Sequence, residues 1–213
     1  MAGAGFFLTV EGIDGVGKST QARMLAGRLR VLGREVVETR EPGGAPGAEE
    51  IRHLLVEGDP ERWSPETETL LFTAARRDHL ERVIRPALAR GAVLVCDRYV
   101  DSTRAYQGAG APERRELVDR LHRLAIGLDP DLTLIFDMDP ATALERARGR
   151  LSDLSEDRFE RKGQVFQARL REEYLAIAAA EPARCALIDA AQPPEAVAGQ
   201  VWAAVAPSLG LTP

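Results

Sequence analysis

Residues 12–20 read Gly12-Ile13-Asp14-Gly15-Val16-Gly17-Lys18-Ser19-Thr20 and match G-x-x-x-x-G-K-[ST] in full. Each residue type answers a need of phosphate chemistry. Glycines let consecutive backbone N–H groups turn onto phosphate oxygens and form an anion nest. A helix starting near Lys18 adds the positive end of its dipole. Lys18 supplies a compact charge for the β- and γ-phosphates, and the Ser19 hydroxyl suits Mg²⁺. Lys18 and Lys162 are the only lysines in a chain that otherwise uses arginine. A planar guanidinium would not suit a site shaped for an ammonium, so the lysine at position 18 is itself informative. The motif therefore implies ATP as phosphoryl donor, with Mg²⁺ as the accompanying ion.

Sites of this kind usually have a carboxylate at a neighbouring strand end. Two apolar runs offer one. Ala92-Val93-Leu94-Val95-Cys96-Asp97 leads into Arg98-Tyr99, and Leu132-Thr133-Leu134-Ile135-Phe136-Asp137 leads into Met138-Asp139. The pattern alone does not choose between them. Asp97 is favoured as the partner of Ser19 at the metal, because Arg98 beside it could hold an acceptor phosphate. Asp137 also reads as a negative charge ahead of a helix opening at Pro140. His53, His79 and His122 have neither ligand spacing nor triad-like acidic neighbours and read as structural or surface residues. Cys96 and Cys185 lie in apolar runs without metal spacing and read as buried free thiols.

The elements that must position these groups alternate short apolar runs with helical periodicity, which implies βαβ units and a mainly parallel sheet. Strands are expected at Phe6–Glu11, Glu35–Thr39, Val93–Asp97, Leu132–Asp137 and Ala186–Asp189. Helices are expected at Lys18–Leu32, Pro65–Arg90, Glu113–Leu128, Pro140–Arg148, Arg158–Ala180 and Pro194–Val205. Met24, Leu25, Leu29 and Leu32 should share one side of the first. Pro86 should kink or end the second. The turn-rich Gly43–Gly47 and the charged stretch 149–157 look mobile, and the latter has the composition of a lid.

The chain has 213 residues and suits a single domain over 1–213. Its net charge of −5 argues against a nucleic-acid binder, which usually carries a basic excess. No apolar run approaches the roughly 18 residues of a membrane span. Met1–Val10 lacks a basic leader region and runs straight into the motif, so it reads as a strand. Free thiols and no leader together imply a cytoplasmic protein. The N-K-x-D element by which GTPases read guanine needs asparagine, and this chain has none. The further motifs of larger ATP-driven motors are absent. A small kinase remains, with a nucleoside kinase or a bare nucleotide-binding module as alternatives.

Further blocks narrow the field. They are Thr39-Arg40-Glu41-Pro42-Gly43-Gly44, Leu71-Phe72-Thr73-Ala74-Ala75-Arg76-Arg77-Asp78-His79 and Asp97-Arg98-Tyr99-Val100-Asp101-Ser102-Thr103. Ala105-Tyr106-Gln107-Gly108, Asp157-Arg158-Phe159-Glu160 and Asp189-Ala190-Ala191-Gln192-Pro193 follow. With the phosphate loop, these resemble the thymidylate kinase family over nearly the whole chain. The resemblance implies a three-layer α/β/α P-loop kinase fold with a mainly parallel five-stranded sheet and a short lid. It also implies transfer of the γ-phosphoryl group of ATP to dTMP, and a homodimer.

Site roles follow from the same likeness. Phe72 matches the residue that stacks on thymine. Arg76 matches the group that reaches thymine O4, and Thr103 and Gln107 match those near the N3 edge. Adjacent helix residues point about 100° apart, so only one of Arg76 and Arg77 should face the pocket, and the resemblance implies Arg76. Tyr106 matches the ring that crowds the sugar 2′ position, and Asp14 the acid near the 3′-hydroxyl. Arg98 is expected at the acceptor phosphate, with Arg40 and Arg52 as further candidates. Glu41 and Pro42 are expected to shape the pocket wall. The family has two styles. In one, an arginine lies in the phosphate loop, where this chain has Gly15. The chain therefore resembles the other, in which the lid supplies the arginine, and Arg148, Arg150 and Arg158 are all open for that part. Arg148 is also a candidate for stacking on adenine, and Gln192 lies in the loop expected near that base.

Overall fold

The computed structural model describes residues 5–59, 61–148 and 163–212, with side chains in the second span through Arg146. The chain runs β1 (Phe6–Glu11), α1 (Lys18–Val31), β2 (Val36–Arg40), α2 (Pro46–Val56), α3 (Pro65–His79) and α4 (Arg85–Ala89). It continues through β3 (Val93–Asp97), α5 (Val100–Tyr106), α6 (Pro112–Leu121), β4 (Leu132–Asp137), α7 (Pro140–Arg148), α8 (Gly163–Ala180), β5 (Cys185–Asp189) and α9 (Pro194–Val205). The strands form one sheet in the order β2-β3-β1-β4-β5, and every neighbouring pair is parallel. All five therefore point their C-terminal ends the same way, which is where an open α/β sheet binds its ligand.

Side-chain alternation sorts the sheet into two faces. Leu8, Val10, Val93 and Val95 face Leu25 and Leu29 of α1 and Val197, Val201 and Trp202 of α9. Phe7, Leu94 and Cys96 face Leu80, Ile84, Val100 and Val118. Phe7, Thr9 and Glu11 share the second face of β1. Thr9 and Glu11 are completely buried there, Thr9 against the hydroxyl of Thr133 at 2.8 Å.

The expected elements recur with informative differences. In α1, Ala22, Leu25, Ala26 and Leu29 form the buried stripe, while Met24 is 39% and Leu32 50% exposed. The expected apolar side was therefore drawn too wide. The long helix expected over Pro65–Arg90 is broken by a π-helical turn at Leu80–Ile84, just ahead of Pro86. Proline has no N–H and its ring crowds the carbonyl four residues back, and a widened turn accommodates both. A second π-helical turn, His122–Ile126, extends α6 and ends at Gly127. Of the thiols, Cys96 is buried but Cys185 is only partly so.

Helices α2 and α5 were not expected. The first opens on Pro46, within the turn-rich Gly43–Gly47. That loop is tied down, because Gly44 N–H donates to Glu49 and Ala48 N–H to Asp78. In α5 no local side chain caps the start. Its cap comes from Glu11, 88 residues earlier, whose carboxylate accepts from Tyr99 N–H at 2.7 Å.

Candidate active site

The phosphate loop joins β1 to α1. Gly17 closes it at φ 95° in the left-handed region and serves as N-cap of α1. Gly15 sits at φ 87°, and a Cβ built there would lie 2.0 Å from the carbonyl oxygen of Ala143 on α7. No side chain fits at Gly15 on this backbone, which gives a steric reason for the absence of a loop arginine. Lys18 is 7% exposed, and its Nζ donates to the carbonyls of Gly12 (3.0 Å) and Ile13 (2.8 Å). Burial and the nearby Arg98 charge lower the Lys18 pKa to about 8, against the opposing pull of Asp14, Asp97 and Glu11.

Beside the loop, Ser19 Oγ donates to Asp97 Oδ2 at 2.5 Å. Asp137 lies elsewhere, in a two-nitrogen pair with Arg171 of α8 (2.6 and 2.9 Å). The residue that caps α7 is Asp139, which accepts from Thr142 N–H. Among the described residues, no group of three or more His, Cys, Asp or Glu could cage a metal. A hydroxyl and one carboxylate, both hard oxygen donors, instead fit Mg²⁺, which keeps several waters and takes phosphate oxygens as ligands.

Arg98 sits at φ 69°, the one left-handed non-glycine among the described residues. Such a conformation costs on the order of 1–3 kcal/mol and persists where its surroundings hold it. The backbone is held by Arg98 N–H to Val10 O (3.0 Å) and by Cys96 Sγ to Arg98 O (3.1 Å). The guanidinium is held as well. Nη1 donates to Ser102 Oγ (3.1 Å), Tyr174 OH (3.2 Å) and Gly12 O (3.3 Å), and Nη2 pairs with Asp14. Asp14 also accepts from Tyr106 OH at 3.2 Å. Burial would raise the Asp14 pKa, but the charges of Arg98 and Lys18 outweigh it and keep the group ionised. Behind Arg98, Glu11 accepts from Ser102 Oγ (2.6 Å) and Tyr174 OH (3.3 Å). Burial, then the charge of Asp101, lifts the Glu11 pKa to about 7.

A second group lies between α3 and α5. Arg76 is 3% exposed, and its Nε donates to Glu41 Oε2 (2.7 Å) and its Nη2 to Thr103 Oγ1 (3.0 Å). Its guanidinium carbon lies 4.9 Å from the Tyr99 ring centroid. Arg77 is exposed and turns instead to Glu81 and to Ala125 O. Phe72, one turn before Arg76, is half-buried. Gln107 donates through Nε2 to Glu68 at 3.0 Å, while its buried Oε1 has no partner among the described residues. Both oxygens of Glu41 are engaged, one by Arg76 and one by His79 Nδ1 at 3.0 Å. Glu41 thus holds its neighbours instead of offering a free face, and Pro42 follows it through a cis peptide bond.

Some expected residues stand apart. Arg40 is exposed and pairs with Glu49 (3.1 Å), and Arg52 donates to Pro42 O (2.8 Å). Gln192 follows β5 and donates to Asp189 (2.9 Å), in a loop anchored by Arg146 through Ala190 O and Ala191 O. The Arg148 side chain, Arg150, Arg158 and the stretch 149–157 lie outside the described residues. Reasoning from sequence missed Glu11, Ser102, Tyr174 and His79. The available signals were weak: an acid closing an apolar strand at Glu11, and a hydroxyl one residue before Thr103.

A parallel sheet, a glycine-lined loop at the C-terminal end of its central strand, a buried lysine and a Ser–Asp corner define a P-loop phosphotransferase. The thymidylate kinase family model matches residues 10–201. A thymidylate kinase of Ruegeria pomeroyi is 58% identical over 212 residues, spanning 100% of both chains. One of Dinoroseobacter shibae is 59% identical over 203 residues, covering 95% of this chain and 97% of its own. The crystal structure of thymidylate kinase from Ehrlichia chaffeensis superposes with a TM-score of 0.75 at 34% identity, covering 95% of this chain and 99% of its own. The chain belongs to the thymidylate kinase family. Among the described residues, no helix is long and apolar enough to cross a membrane.

Proposed function

We propose that ATP binds on residues 12–20, that dTMP lies between α3 and α5, and that the two phosphates meet at Arg98. Family membership makes the reaction transfer of the γ-phosphoryl group of ATP to dTMP, giving dTDP and ADP. The observation that carries the residue-level reading is Arg98, whose guanidinium touches Gly12 and Asp14 of the loop and Ser102 of the acceptor helix at once.

Recognition of dTMP divides by chemistry. Phe72 offers a face for the ring, which alone tolerates any base. Arg76 supplies donors suited to O4. The unpaired Gln107 Oε1 suits the N3–H of a pyrimidine, because a buried acceptor without a donor is costly. Tyr106, anchored to Asp14, is the ring that by the resemblance would crowd a 2′-hydroxyl, and Asp14 can accept from the 3′-hydroxyl.

The nucleophile is an oxygen of the dTMP phosphate, which is mostly a dianion at neutral pH because its second pKa is about 6. No general base is required, in keeping with histidines that serve structural contacts. The obstacle is repulsion between two polyanions, about 4 kcal/mol per pair of unit charges at 4 Å and an effective dielectric near 20. Lys18 and Arg98 offset it and gather on charge as it builds. Mg²⁺, held at Ser19 and Asp97, would supply further positive charge to the β- and γ-phosphates. The resemblance supports a further arginine, one of Arg148, Arg150 and Arg158, that adds charge at the transferring phosphoryl group and helps exclude water. The resemblance supports a homodimer, and free thiols support a cytoplasmic setting. A coupled ADP-release assay over dTMP, dUMP, dCMP, UMP and thymidine tests the reading. Release is expected with dTMP far above the rest, and equal release with thymidine would refute the phosphate-acceptor role of Arg98.

A further inference from the structure

His79 is completely buried at the end of α3, yet both ring nitrogens are engaged. Nδ1 lies 3.0 Å from Glu41 Oε1, and Nε2 lies 2.7 Å from Thr39 Oγ1. An ionised carboxylate only accepts, so Nδ1 carries the proton toward Glu41. In the neutral ring Nε2 then accepts from the Thr39 hydroxyl, which holds the ring from its other side while Glu41 sets the tautomer. The other Glu41 oxygen takes Arg76 Nε at 2.7 Å, and Arg76 Nη2 reaches Thr103 at 3.0 Å. A continuous chain therefore runs Thr39–His79–Glu41–Arg76–Thr103. Its last four members are at most 5% exposed.

The surroundings are built around the ring. Gly44 lies at φ 83°, and a Cβ there would come within 2.6 Å of His79 Nε2 and 2.4 Å of Thr39 Oγ1. The loop backbone thus closes over the imidazole without room for a side chain. The π-helical turn begins one residue later, at Leu80, so Phe72, Arg76 and His79 keep α-helical register on a common face.

We propose that His79 is a positioning residue for base selection: its imidazole fixes the Glu41 carboxylate, which fixes the guanidinium that reads C4 of the pyrimidine. This rests on the assignment of Arg76 to O4. A donor held rigidly at C4 donates to O4 of dTMP and opposes the amino group of dCMP. A guanidinium free to turn away loses part of that discrimination, because rejection depends on leaving a buried polar group unpaired.

The test compares kcat/KM for dTMP and dCMP in the parent and in His79→Asn, His79→Gln, Thr39→Val and Arg76→Met. Asparagine places a donor near Nδ1, whereas glutamine places one near Nε2. His79→Gln is expected to lose about tenfold in discrimination, mostly through a higher KM for dTMP, with KM for ATP unchanged. His79→Asn should stay within about threefold of the parent. Thr39→Val, nearly isosteric, removes the hydrogen bond that orients the ring at Nε2, should lose roughly threefold, and serves if His79→Gln does not fold. Unchanged discrimination in His79→Gln, or equal loss in the asparagine and glutamine variants, overturns the proposal. If His79→Gln is unfolded, unchanged discrimination in Thr39→Val overturns it. Arg76→Met separates the two levels. Discrimination surviving there refutes the base-reading role itself. Discrimination lost there but kept in the His79 variants refutes only the part given to His79.

Discussion

Replacing Glu11 with glutamine should make the folded protein less sensitive to pH, and the size of the effect follows from its surroundings. Glu11 is completely buried and accepts from Tyr99 N–H, Ser102 N–H, Ser102 Oγ and Tyr174 OH. Those donors do not compensate for burial and for the charge of Asp101, so its pKa rises from 4.5 to about 7. Asp101 keeps its own charge through Arg104 (2.8 Å) and Arg184 (2.7 Å). A group whose folded pKa is raised binds more protons folded than unfolded across that interval. Its full stability is therefore present below about pH 4.5 and is lost as pH rises through about 7, after which the loss levels off. At about 1.4 kcal/mol per pKa unit the whole change is roughly 3 kcal/mol.

Glutamine keeps the volume and can still accept from Tyr99 N–H, while the hydroxyls of Ser102 and Tyr174 can rotate to accept from its amide. The assay is urea unfolding of both proteins from pH 4.5 to 8, taking the stability difference at each pH. Groups that Glu11 does not influence cancel, including Asp14, Asp78, Asp129 and Asp139, whose lowered pKa values act below this window, while Lys18, which Glu11 helps to hold at about 8, adds only at its upper end. The variant should gain on the parent by up to about 3 kcal/mol between the two ends. Parallel curves would show that the Glu11 carboxylate does not titrate in this window, and the electrostatic picture behind Arg98 would have to be redrawn.

Three further outcomes are expected. Lys18→Ala should lower kcat by about 10²–10³-fold, as loss of one preorganised charge-stabilising donor does, with little change in thermal unfolding. Arg98→Lys should raise KM for dTMP by roughly 10–100-fold, because a single ammonium cannot span Asp14, Ser102 and a phosphate as a fork does; stopped-flow binding of dTMP and ATP would show whether the loss is confined to the acceptor. Tyr106→Ala should admit the ribonucleotide of thymine better, narrowing discrimination by about tenfold or more, read as a ratio of kcat/KM.

Much of the fold was legible because its signals are local. β1, β3 and β4 are continuous apolar runs, as strands covered on both faces are, and their expected bounds match the structure. The phosphate loop was legible for the same reason: its glycines and lysine are adjacent in sequence. What escaped was built from distant contacts. Helix α5 is capped by Glu11 across 88 residues, so nothing near Val100 announces it. His79 looked inert because Glu41 and Thr39 come from another strand end, 38 and 40 residues away in sequence. Tyr174 showed only helical spacing, and its meeting with Ser102 at 3.0 Å appears once α8 packs on α5. The choice between Asp97 and Asp137 also needed three dimensions, since Arg171 claims one and Ser19 the other.

The central claim is that one chain holds donor and acceptor phosphates on opposite sides of a single guanidinium. A crystal structure with dTMP, Mg²⁺ and a non-hydrolysable ATP analogue tests it most directly. The triphosphate should lie on residues 12–20 with Lys18 against it, the thymine should lie against Arg76, and Arg98 should contact the dTMP phosphate. A triphosphate bound away from the loop, or a dTMP phosphate out of reach of Arg98, would contradict the account.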